Sequence, residues 1–237
     1  YRHYGDCLVL ERQYDSMRRW VDHLAELARR TPGRGRVFPR RLGGLENYIV
    51  DNGFHWGEWL RPGESMPKTY AKHTLRAPAS VATAYLANSA KLLAEAATIL
   101  GQDQDAARYA DLSANATLAW RKAFVRNSGS RIDEDRQDDY VRALAFDLLP
   151  EDQRAAALNR LVELIEGADC HLGTGFLSTA LLLPVLARFG RADIAYQLLL
   201  QDSNPSWLAQ VKRGATTIWE SWEGYNKNGE ARYSHNH

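Results

Sequence analysis

The 237-residue sequence predicts an all-α protein built from helical hairpins. Apolar residues recur at helical spacing in segment after segment, and these segments are joined by connections that are short in some places and long in others. Outside the connections no stretch alternates apolar and polar residues as a half-buried strand would. A helical solenoid is the rival architecture, but it requires a fixed repeat period, and none persists along the chain.

The first helix is expected from Leu8 to about Arg30, where Leu10, Tyr14, Met17, Val21, Leu24 and Leu27 fall on one stripe. Asp6 stands where a cap belongs, and Pro32 with the glycines of TPGRGR ends the pattern. Residues 29–41 hold six arginines, read as solvated surface because acids elsewhere balance them. From 31 to 77 the chain is expected to be helix-free, polar and rich in glycine and aromatic residues. A connection ten times the usual 4 to 6 residues, roughly, points to a functional loop rather than a link.

Two helices then follow in close succession. Ala79–Leu100 starts after Pro78 and stops at Gly101, and Asp103–Phe124 follows across a tight turn, so the pair should pack as an antiparallel hairpin. Alanines such as Ala97, Ala107 and Ala110 let the axes approach closely. Beyond the NSGS turn, helices are expected over 137–149, from Pro150 and Glu151 to Gly167, over 177–190 and over 191–201. Pro184 implies a kink or a late start in the third of these. The sum is about seven helices.

Composition sets outer limits on function. A chain of this length buries roughly 70 to 75% of its unfolded surface if it folds compactly. Its 45% apolar and 25% charged residues are ordinary for a globular protein, and a formal net charge of +1 selects no polyanionic partner, so no nucleic acid is expected. Cys7 and Cys170 lie outside any metal-ligand spacing and read as structural. The richest apolar run, FLSTALLLPVLARF, is too short to span a membrane and contains Pro184 and Arg188. No cofactor and no metal are expected, since neither HExxH nor a phosphate-binding loop occurs. The reading favours a soluble, cytoplasmic protein over an exported one.

Chemistry concentrates in GFHWGEWLRPGE (53–64), DCHLGTGF (169–176), NPSWLAQVKRGATTIWESWEG (204–224) and SHNH (234–237). Glu58 lies between Trp56 and Trp59, and Glu220 follows Trp219 with Trp222 two positions on. Indoles stack on the apolar faces of sugar rings, and the same rings desolvate a neighbouring acid. Positioned carboxylates are what glycoside hydrolysis requires. The alternative is that the tryptophans anchor a core and the acids are solvated caps.

Taken together, GFHWGEWLRPGE, HLGTGF, PSW, GATTIWE and the Asn-His pair resemble the catalytic domain of bacterial α-L-rhamnosidases of glycoside hydrolase family 78. The opening YRHYGDCLVLERQYDSMRRWVDHL is similar to the family helix after the first catalytic loop. The resemblance implies an incomplete (α/α)6 toroid of the six-hairpin type over 1–237, and hydrolysis of terminal rhamnosides with inversion. It places the general base on Glu220 and makes His237 a sugar contact. Glu58, Trp56, Trp59, His171, Trp207 and Trp222 are candidate substrate-binding residues. The implied partner is a rhamnose-containing glycoside or oligosaccharide, with other domains of the same parent chain alongside.

Departures from the family pattern qualify this. The family's general acid lies in an Asp-Glu-Arg then Gly-Trp-Thr-Gly pattern that 1–237 does not contain, so the acid and a closing C-terminal part are expected outside this segment. Glu58 stands where aspartate is usual. A non-catalytic carbohydrate-binding or structural fragment, or an α/α-barrel hydrolase acting on another sugar, remains the alternative.

Overall fold

The computed structural model describes residues 1–30, 42–75 and 78–236. The arginine-rich run beyond Arg30, with its TPGRGR stop, and His237 lie outside them. Among the described residues the elements in chain order are α1 (Leu8–Arg29), a 3-10 turn (Leu45–Tyr48), α2 (Met66–Leu75), α3 (Ala79–Ile99), α4 (Asp103–Phe124), a ribbon of β1 (Val125–Arg126) and β2 (Arg131–Ile132), α5 (Gln137–Ala145), α6 (Glu151–Glu166), α7 (Phe176–Arg188), α8 (Ala192–Leu200) and α9 (Trp207–Lys212). The fold is thus mostly helical with a small open sheet, consistent with the expected incomplete six-hairpin toroid. No helix among the described residues is long and apolar enough to cross a membrane.

The elements sort into two compact units. One contains α1, α3, α4 and the 3-10 turn; the other contains α2, the ribbon and α5 to α9. In the first, Cys7 rather than Asp6 is the N-cap of α1, and the Asp6 carboxylate accepts the Leu8 N–H at 2.8 Å from one residue further out. Helices α3 and α4 form the predicted hairpin. The small side chains of Ala84, Ala87, Ala90 and Ala97 are all but inaccessible, and Ser113 of α4 donates to the Ala87 carbonyl at 2.9 Å. Trp120 is fully buried and satisfies its indole N–H on the Ser80 carbonyl at 3.0 Å, which removes the cost of burying that donor. Val21, Ala90, Leu93 and Tyr109 close this core, with Tyr14 and Met17 of the α1 stripe packed on it.

The second unit departs from the sequence expectation in several places, the short α9 and the β1–β2 ribbon among them. Helix α2 forms inside the stretch expected to be helix-free: Pro67 suits a first turn, and the Tyr233 hydroxyl accepts the Met66 N–H at 2.9 Å. Helix α5 ends at Ala145 rather than 149, because Asp147 takes a φ of 56° and the Leu148 N–H turns back to the Ala143 carbonyl at 2.9 Å, burying Leu148 and Leu149. Pro184 sits inside α7, which begins at Phe176, so the proline marks no late start. Pro150 opens α6 as read, with Glu151 and Asp152 in the first turn beside the positive end of the helix dipole. Ribbon strands β1 and β2 are antiparallel, pairing Val125 with Ile132 and Arg126 with Arg131.

Candidate active site

The four chemistry-bearing segments meet within the second unit, the first three through direct hydrogen bonds to one another and SHNH through its bonds to the third. The Phe176 N–H donates to the Trp59 carbonyl at 2.7 Å, the Trp222 indole to the Thr174 carbonyl at 3.1 Å, and the Gly63 N–H to the Glu223 carboxylate at 2.7 Å. Gly175 is required at this junction. A Cβ there would stand 2.3 Å from the Trp59 carbonyl oxygen and 3.0 Å from Cγ of Glu58.

Glu220 occupies the edge of a cleft of about 370 Å³ whose walls include Phe176, Pro184, Trp207, Trp219 and Trp222. Local devices place the indole walls. Ser206 caps α9 through the Ala209 N–H at 3.1 Å and so sets Trp207 at its first residue. Trp207 and Trp222 meet nearly perpendicular, with ring centroids 5.7 Å apart. Trp219 lies under Gly224, where any Cβ would collide with its ring at 2.2 Å. Donors to the half-buried Glu220 carboxylate include Trp59 Nε1 at 3.3 Å on one oxygen and the Ser234 amide at 3.0 Å on the other. Its own amide donates to the Ser234 carbonyl at 2.9 Å, so backbone as well as side chain is fixed.

Trp219 and His235 were not among the sequence candidates, although Trp219 adjoins Glu220. His235 stacks on Trp219 at 4.4 Å with 15° between planes, and its ring binds the Gly224 carbonyl at 2.6 Å. The Thr217 hydroxyl donates to the His235 carbonyl, so the SHNH segment is folded back onto the GATTIWE loop.

Glu58 is placed quite differently. It is 1% exposed, and its carboxylate accepts the Ser178 N–H at 2.9 Å, the Ser178 hydroxyl at 2.8 Å and the Arg142 guanidinium at 2.5 Å. Arg142 of α5 also pairs with Asp138 at 2.7 Å and Asp139 at 2.9 Å, and Arg61 holds Asp138 in two bonds of 2.8 and 2.9 Å. One fully buried guanidinium therefore binds three buried acids. Burial would raise Asp138, yet Arg142 and Arg61 outweigh it and hold its carboxyl down to about 2. Burial pushes Asp139 well up, and the charge of Asp138 adds to that. Glu58 is also raised by burial, against the pull of Arg142.

The remaining candidates lie elsewhere. Trp56, 43% exposed, packs edge-on against Trp59 at 4.4 Å and beside Tyr70. His171 is bound locally, by the Ala168 carbonyl at 2.9 Å and the Ser203 hydroxyl at 2.8 Å, and is not part of the cleft wall. The cleft thus gathers Glu220, Trp207 and Trp222, with Trp59 reaching it through a hydrogen bond.

Comparison with known proteins agrees along the whole chain. The family model for the bacterial alpha-L-rhamnosidase 6 hairpin glycosidase domain matches residues 1–237. An α-L-rhamnosidase of Streptomyces avermitilis is 37% identical over 229 residues, covering 97% of this chain and 19% of that protein. One from Formosa agariphila is 35% identical over 225 residues, covering 94% of this chain and 22% of that protein. The chain spans about a fifth of the length of these curated relatives. Among solved structures, the Streptomyces avermitilis α-L-rhamnosidase complexed with L-rhamnose matches with a TM-score of 0.79 at 36% identity, over 99% of this chain and 20% of that one. The native enzyme of Aspergillus terreus gives 0.79 at 31% identity, over 99% and 26%.

Proposed function

The chain belongs to the bacterial α-L-rhamnosidase six-hairpin glycosidase family, and on that premise we propose that the full-length protein hydrolyses terminal α-L-rhamnosides with inversion, Glu220 acting as general base. The observation that carries this reading is the Glu220 carboxylate, bound by the Trp59 indole and the Ser234 amide and lining an indole-walled cleft. A cleft of about 370 Å³ falls in the size range of small-ligand sites. Trp207 and Trp222 offer flat apolar faces on which the C–H face of a sugar ring can stack. A rhamnose-containing glycoside or oligosaccharide is the substrate class.

In the proposed step Glu220 removes a proton from water as that water attacks the anomeric carbon. A second carboxylic acid, roughly 6.5 to 9.5 Å away in inverting enzymes, protonates the departing oxygen on the opposite side of the ring. The family pattern that bears that acid is absent from residues 1–237, so the acid is assigned to another part of the full-length protein. Glu58 is not put forward for that role, because a carboxylate 1% exposed and tied to Arg142 has no access to a leaving group.

The test is proton NMR of an aryl α-L-rhamnoside during hydrolysis by the full-length protein. The β-anomer of rhamnose is expected to appear first and to mutarotate afterwards. Release of the α-anomer first, or no release of rhamnose, would contradict the proposal.

A further inference from the structure

We propose that Trp59 is a positioning residue for Glu220, and that the buried Glu58–Arg142 pair exists to hold Trp59 in that position; this rests on the reading of Glu220 as the base. The segment from Gly57 to Leu60 is held at more points than a loop needs. Gly57 has a φ of 63°, and Leu60, a buried residue with a side chain, adopts a φ of 49° in the left-handed region. Such a conformation persists in a branched residue only where the surroundings enforce it.

Here they do so from three sides. The Glu58 carboxylate is locked by both donors of Ser178 and by Arg142, which also donates to the Ser178 hydroxyl at 3.1 Å. The Trp59 carbonyl receives the Phe176 amide at 2.7 Å. Gly175 brings the start of α7 against both residues, at a distance no side chain permits. Trp59 emerges from this clamp with its ring braced edge-on by Trp56 and its indole N–H on Oε1 of Glu220. The two acid-and-indole motifs of the sequence are therefore one device: the acid of the first anchors an indole that orients the acid of the second.

A positioning role makes a demand that a stacking wall does not. Loss of the N–H should lower kcat, because the base loses its orientation toward the attacking water, and leave KM alone. In the full-length protein, Trp59→Phe keeps most of the ring area and deletes the donor. We expect kcat per folded molecule on an aryl α-L-rhamnoside to fall about tenfold, the scale of one hydrogen bond to a charged group, with KM changed less than about twofold. Arg142→Lys, which keeps the charge but loses the guanidinium fork, should lower kcat in the same direction. If that variant does not fold, Trp59→Phe decides alone.

A raised KM at unchanged kcat would make Trp59 a sugar-contacting wall and overturn the inference, as would unchanged values of both. Glu220→Gln assayed in parallel separates the two proposals. If it keeps wild-type turnover, the base assignment fails. If it abolishes turnover while Trp59→Phe leaves kcat intact, the positioning role alone fails.

Discussion

HWGEW and TIWESW read alike, each an acid beside indoles, yet the fold sends their glutamates to opposite environments. Glu58 goes to the floor of the second unit, 1% exposed and bound to Arg142. Glu220 goes to the cleft edge, half-buried, among aromatic walls. What separates them is not the neighbouring tryptophan but a cation on α5, far along the chain. An acid that meets a buried guanidinium becomes scaffold, because a pair with satisfied hydrogen bonds is costly to break and has no reason to react. Glu220, bound by the Trp59 indole and the Ser234 amide, lines the cleft instead.

The largest effect that tests this contrast is on the scaffold side. Arg142→Met leaves Glu58, Asp138 and Asp139 buried without their shared cation, and stability should fall by about 3 to 5 kcal/mol in urea unfolding. A loss below about 1 kcal/mol would mean that the cluster does not hold the unit together.

A smaller effect is written in pH. Asp138 is held down to about 2, below its value in an unfolded chain, so its contribution is present above about pH 4 and is lost as pH falls through about 2. The wild type should therefore lose about 2 kcal/mol more than Asp138→Asn between pH 5 and pH 2. Equal slopes would show that Arg142 and Arg61 do not hold this carboxyl in its charged form.

Much of the fold was legible in the sequence, because long helices advertise themselves. Pro78 with Gly101 marked α3, Asp103 marked α4 and Pro150 marked α6, almost to the residue. Elements settled by tertiary contacts were not legible. Helix α2 depends on Tyr233 at its start, α9 is only six residues long, and β1 and β2 are two residues each. The site divided the same way. Glu220, Trp207 and Trp222 were singled out from their segments, and the fold sets all three along one cleft. The fate of Glu58 was hidden, since its partner stands 84 residues away. One signal was present: Arg142 follows Asp139 by three residues and Asp138 by four on a short helix whose other residues include Val141, Ala143 and Leu144, an arrangement that buries charge if the helix is buried at all.

Glu220, and not Glu58, is the carboxylate proposed to react in this segment. The most direct test is kcat and the unfolding midpoint of Glu220→Gln in the full-length protein, assayed on an α-L-rhamnoside. We expect kcat to fall by about 10²-fold or more while the midpoint stays near that of the wild type. A folded Glu220→Gln enzyme with near-wild-type turnover would contradict it.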